Sequence, residues 1–163
     1  MSVTWDILRS YVRPREIMRR QLAHAGETRA LAYVMIACFL FFVARLPLLS
    51  REAHLDRGGP DFPALAAGVF VGAVLFAPLV LYGLAAASHV IAKGLGGQGG
   101  WLAARLALFW ALLAMAPLVL FRGLIVSLAG PGPAALGGDL LIGLIFLYLW
   151  ITNLREAERT GQA

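Results

Sequence analysis

The chain has little of what catalytic and metal centres are usually built from. It holds one cysteine, Cys38, and three histidines in 163 residues. An intramolecular disulfide and a cysteine-rich metal site are therefore excluded, and Cys38, set in an apolar run, reads as a small packing or lipid-facing residue. Charge is scarce too: 14% of residues are Asp, Glu, Lys or Arg, against about a quarter in soluble domains. No serine, cysteine or acid pair has a plausible catalytic base beside it, so hydrolysis and group transfer lack visible machinery and no cofactor is expected. Residues 1–25 contain no apolar signal core and instead carry Arg9, Arg13, Arg15, Arg19 and Arg20; the first apolar segment is expected to act as an uncleaved signal.

What the chain has in excess is apolar side chain, 60% of its residues. These residues gather into long runs, each at or above the roughly 20 residues a helix needs to cross a bilayer. Unbroken Leu, Ala, Val and Phe without an alternating polar period argue for helices and against a β-barrel. The expected fold is an all-α integral membrane protein: a four-transmembrane-helix bundle preceded by an N-terminal amphipathic interfacial helical segment. The spans are placed at about 30–49, 63–92, 101–129 and 134–154, with a polar tail over 155–163.

Residues 2–25 read as two short amphipathic helices divided at Pro14, a residue suited to a first helical turn. Trp5, Leu8, Tyr11 and Val12 share a face of the first. In the second, Ile17, Met18 and Leu22 oppose Arg15, Arg19 and Arg20, the pattern of a segment lying in the membrane interface; a solvated basic leader is the alternative. Arg13, Arg15, Arg19 and Arg20 are thus candidate contacts for anionic phospholipid or a partner. The net charge of +5 is explained by arginines flanking apolar runs, and no nucleic acid is expected.

Polar residues 51–61 form a short connection after the first span, where His54, Asp56 and Asp61 are expected to be hydrated and not to hold a metal. The second span exceeds the length needed to cross and is expected to kink at Pro78, as is the third at Pro117. The sequences around these prolines nearly repeat, Ala77-Pro78-Leu79-Val80-Leu81-Tyr82 against Ala116-Pro117-Leu118-Val119-Leu120-Phe121, on helices of opposite direction. Such a repeat is found in some transporters, and coincidence in a leucine-rich chain is the competing explanation. Gly94, Gly96, Gly97, Gly99 and Gly100 make a tight turn, without the strand or Gly-Lys-Ser/Thr ending of a phosphate loop. Gly130-Pro131-Gly132-Pro133 makes the other turn.

Ten basic residues (Arg9, Arg13, Arg15, Arg19, Arg20, Arg29, Lys93, Arg105, Arg155, Arg159) fall on one side of this topology. Arg45, Arg51, Arg57 and Arg122 fall on the other. The positive-inside rule puts the richer side, with both termini, in the cytoplasm. Arg122 and Asp139 lie at matching depth near the external end, where they can pair across helices or reach the interface separately. No chain of ionisable groups occupies mid-depth, which argues against proton-coupled transport. His89 reads as an interfacial anchor, and haem ligation would need a second axial partner, whereas His24 and His54 sit in different places on opposite sides of the membrane. Trp101, Tyr148 and Trp150 suit an aromatic belt and Trp110 suits packing. Gly68, Gly72, Gly83, Gly123 and Gly143 would let helices approach closely.

Three stretches resemble the bacterial branch of the Yip-domain family, Ypt/Rab-interacting multispanning membrane proteins. They are Tyr11-Val12-Arg13-Pro14-Arg15-Glu16-Ile17-Met18; Ser88-His89-Val90-Ile91-Ala92-Lys93-Gly94-Leu95-Gly96-Gly97-Gln98-Gly99 with Phe109-Trp110 through Pro117; and Asn153-Leu154-Arg155-Glu156-Ala157-Glu158. The family usually has five spans, and this sequence stops where a fifth would begin. The resemblance implies membrane organisation and, in eukaryotic members, small-GTPase binding; for bacterial members it implies no settled activity. The expectation is a non-catalytic bacterial inner-membrane protein that binds other membrane proteins, itself or lipid, as an organiser or accessory subunit. The alternative is a small oligomeric transporter or channel using the two proline-bearing helices.

Overall fold

A computed structural model of the protein describes residues 3–56, 58–130 and 132–159. Arg57 of the polar connection, Pro131 of the second turn and residues 160–163 of the tail lie outside the described residues. The chain is 88% helix, with no strand among the described residues. In order it forms α1 (Val3–Ser10), α2 (Pro14–Ala23), α3 (Glu27–Leu55), α4 (Phe62–Phe70), a π-helical stretch (Val71–Phe76), α5 (Ala77–Gly94), α6 (Trp101–Ala129) and α7 (Pro133–Arg159).

Four helices are long and apolar enough to cross a membrane: Glu27–Leu55, the continuous Phe62–Gly94, Trp101–Leu128 and Ala135–Arg159. Dozens of large apolar side chains face outward, among them Leu75, Leu79, Val80, Leu128, Leu136 and Leu140. In water each would forgo about 1.5–3 kcal/mol of burial, whereas lipid tails accept them at no such cost. This is the construction of a multi-pass membrane protein.

Helix limits follow local chemistry. Asp61 accepts a hydrogen bond from the Ala64 N–H at 3.2 Å and caps α4, with Pro63 in its first turn. The first long helix runs past the apolar run to Leu55, so Arg51 and Glu52 are helical, and among the described residues only Asp56 and 58–61 lie between it and α4. The last bond of the helix is that of the Asp56 N–H to Glu52 O at 2.9 Å, and the turn formers Gly58, Gly59 and Pro60 lie beyond it. Before Pro78 the backbone widens: the Ala77 N–H bonds to Gly72 O, five residues back. Proline has no N–H to give and its ring crowds the preceding turn, which the wider turn relieves. Pro117, by contrast, lies inside a helix that continues from Trp101 to Ala129.

α3 and α6 run parallel at a near-constant offset of 76 to 79 residues along their length. Glu27 meets Arg105, Tyr33 meets Trp110, Ala44 meets Gly123, and Arg51 meets Ser127. A side chain at Gly123 would collide with the Ala44 backbone, so this glycine sets how closely the two helices approach. Gly68, Gly72, Gly83 and Gly143 instead face open space; small residues there serve no helix contact within the chain. α5 and α7 run antiparallel to α6, as the Tyr82–Phe109 and Arg122–Asp139 contacts require.

α6 is the centre. Its first half, Leu106 through Ala116, is buried without interruption, while Phe121, Leu124, Ile125 and Leu128 are exposed. The difference comes from the N-terminal helices. α1 and α2 pack against the half of the bundle that carries the Gly94–Gly100 turn, here called the near end, and cover α6 there. Ile17 and Met18, expected to face the membrane interface, are buried in the main apolar cluster with Tyr33, Val34 and Trp110. Helical periodicity shows that such a stripe seeks an apolar surface but not which one, and the bundle supplies it.

Candidate functional site

The near end concentrates the polar contacts of the chain. α1 turns its polar face inward: Trp110 Nε1–H donates to Ser10 Oγ at 3.0 Å, and Ser10 Oγ–H donates to Asp6 O at 2.8 Å. Ile7 packs against the main apolar cluster, while Trp5 and Leu8, and Val12 just after the helix, point outward. At the α1–α2 joint the Tyr11 hydroxyl donates to Ala114 O, and burial pushes this phenol above its ordinary pKa. One turn short of the end of α2, Gln21 accepts a 2.8 Å bond from the Tyr33 hydroxyl.

The tail of α7 completes the arrangement. Glu158 is buried, with one oxygen 2.9 Å from His89 Nδ1 and the other accepting the Gly99 N–H at 2.8 Å; its own carbonyl accepts the Gln98 N–H at 3.2 Å. His89 also packs on Trp101, with ring centroids 4.6 Å apart. Two glycines of the turn make room: a side chain at Gly97 or Gly99 would strike the Glu158 carboxylate. Gly96 has φ of +92°, a backbone state that glycine adopts freely, while Gly94 and Gly100 face open space. Glu156, also buried, receives Arg19. Arg105 holds Glu27 at 2.8 Å on the outside of the same end.

The four N-terminal arginines therefore separate. Arg13 and Arg20 both turn to Glu16, at 3.6 and 3.0 Å, Arg19 clamps α7, and only Arg15 faces a groove of about 700 Å³ between the ends of α5 and α7. At the far end Arg122 and Asp139 form a two-pronged ion pair joining α6 to α7. Arg51 caps the end of α6 by donating to Ser127 O at 3.0 Å. The far connection is equally occupied, since Asp56 accepts from the Gly58 N–H and Asp61 caps α4. Among the described residues no three His, Cys, Asp or Glu side chains gather where a metal could sit.

His89 and Glu158 are an acid–base pair by type, but Trp101 and the glycine turn fill the space a substrate would need, and Ser88 is bonded to Ala85 O at 2.8 Å. Their geometry is that of a clasp between α5, the turn and α7. The sequence offered no sign of it, because Glu156 and Glu158 sit in a charged tail that looks solvated. Among the described residues three buried side-chain atoms are without hydrogen-bond partners: Asp6 Oδ1, Trp150 Nε1 and Asn153 Oδ1. The last two lie one turn apart on α7, and Trp150 lines the groove.

No protein-family model matches the chain, and neither the curated proteins nor the solved structures contain a match.

Proposed function

We propose that this is a non-catalytic protein of the bacterial inner membrane that works by binding partners within the bilayer, as a membrane organiser or an accessory subunit of a larger complex. The observation that carries the reading is the use made of the near-end ionisable side chains. His89, Glu158, Glu156 and Arg19 are engaged in holding α2, α5, the glycine turn and the tail of α7 together, and Arg105 and Glu27 join α6 to α3. What remains for a partner within the bilayer is apolar helix surface, above all the uncovered far half of α6, and at the near end the arginines that line the groove. The crowding of arginine at the near end supports a cytoplasmic location for that end and for both termini. Membership of the Yip-domain branch rests on the three sequence stretches that resemble it.

A photo-crosslinking side chain at Leu124, on the exposed face of α6, tests the reading in living cells. It is expected to give a discrete protein adduct, whereas the same group at buried Leu108 gives none. Lipid adducts alone at Leu124 would contradict partner binding there.

The π-helical turn before Pro78 favours a second reading, a small oligomeric transporter, because such turns often accompany function. Solute flux in proteoliposomes that is lost on Pro78→Ala would support it; absence of flux with the wild-type chain would leave partner binding.

A further inference from the structure

The groove between the ends of α5 and α7 has a one-sided charge. Glu156 and Glu158 border it, but they are occupied by Arg19 and by His89 with the Gly99 N–H. Arg15, Arg155 and Arg159 also line it, are exposed, and have no carboxylate partner among the described residues. The net charge offered to a ligand is therefore positive and comes from two separate elements, α2 and α7.

The walls are of opposite character. Ile91 of α5 and Leu95 just past its end are 65% and 85% exposed, and with Ile151 of α7 they line the groove. Trp150 lines it as well, and its buried indole N–H lacks an acceptor. An arginine rim above apolar walls on two outward-facing membrane helices matches a molecule with an anionic oxygen-rich head and a hydrocarbon chain. An acidic peptide would satisfy the rim but would leave its backbone unpaired against the apolar walls.

We infer that this groove binds an anionic phospholipid, its phosphate held between Arg15, Arg155 and Arg159 and an acyl chain laid along Ile91, Leu95 and Ile151. The inference deepens the binding function proposed above and rests on its placement of the near end at the membrane surface. It also gives Arg15 a role distinct from those of Arg13, Arg19 and Arg20. A lipid seated there would tie α2 to α7 alongside the Arg19–Glu156 clamp.

Native mass spectrometry of the full chain in mild detergent, with phosphatidylglycerol or phosphatidylcholine added, tests this. Phosphatidylglycerol is expected to stay bound and phosphatidylcholine to be lost. The triple variant Arg15→Gln/Arg155→Gln/Arg159→Gln should lower phosphatidylglycerol retention at least about tenfold. The charge-matched variant Arg9→Gln/Arg13→Gln/Arg29→Gln should stay within about twofold of wild type, its charges lying outside the groove. Ile91→Asn, at an exposed position that leaves folding intact, should also lower retention through the chain wall alone. Equal loss in both triple variants would mean unspecific attraction and overturn the inference. So would displacement of the lipid by inorganic phosphate, or unchanged retention in Ile91→Asn. Loss of lipid specificity with a companion protein still present defeats the groove alone; a bare monomer that keeps phosphatidylglycerol defeats the partner reading alone.

Discussion

Glu158 shows how much one side chain can organise. Its carboxylate serves His89 and the Gly99 N–H, and its carbonyl serves Gln98. Replacing it with Gln keeps the shape but gives up the charged acceptor, and leaves His89 enclosed with a poorer partner. Glu158→Gln is expected to cost about 1–3 kcal/mol, the range for buried hydrogen-bond partners, read as a fall in thermal unfolding temperature in detergent. His89→Ala should cost less in that background than alone, because the two residues act through one bond. At the far end Arg122→Ala and Asp139→Ala should each cost about 0.6–1.7 kcal/mol, the scale of interhelical polar contacts in membranes. The double variant should cost less than the sum. The depth of Arg122 and Asp139 could be counted from the sequence because both lie on long helices. Glu156 and Glu158 could not be read that way, since burial at a helix end depends on which turn folds over it.

At the scale of elements, the four long helices were legible because their apolar runs exceed a bilayer's thickness and need no partner to be recognised. The division of the N-terminal segment at Pro14 was legible for a similar reason, since proline's lost N–H is harmless in a first turn. Its destination was not. Ile17 and Met18 make a stripe equally suited to lipid or to protein, and only the contacts with Tyr33, Gln21, Trp110 and Ala114 decide between them. α1 is turned against intuition, with Asp6 and Ser10 inward and Trp5 and Leu8 outward, as suits a helix with lipid outside and a polar contact inside. If the hairpin is held by its bonds to α6, Ser10→Ala/Tyr11→Phe should free it. Trypsin cleavage after Arg15 and Arg20 is expected to rise by about fivefold or more, given about 0.5–1.5 kcal/mol per lost bond. Unchanged cleavage would mean that packing of Ile17 and Met18 alone holds the segment.

For the molecule as a whole, the parallel register of α3 and α6 and the antiparallel α5 and α7 put the start of α3 and the end of α7 at the same end. Ten of the fourteen basic residues in the sequence were assigned to that side from the spans alone, and the proposed orientation follows from them. It can be checked with Cys38 replaced by alanine and a single cysteine at Glu52 or at Lys93, treated with an impermeant maleimide on intact cells. Labelling is expected at position 52 and not at 93; the reverse would invert the orientation. The asymmetry of α6, sheathed near one end and open toward the other, is the feature that most invites a partner helix. The deciding measurement is the mass of the particle purified in mild detergent. The account predicts a stoichiometric companion protein or a defined homo-oligomer, and a homogeneous monomer with no companion would contradict it.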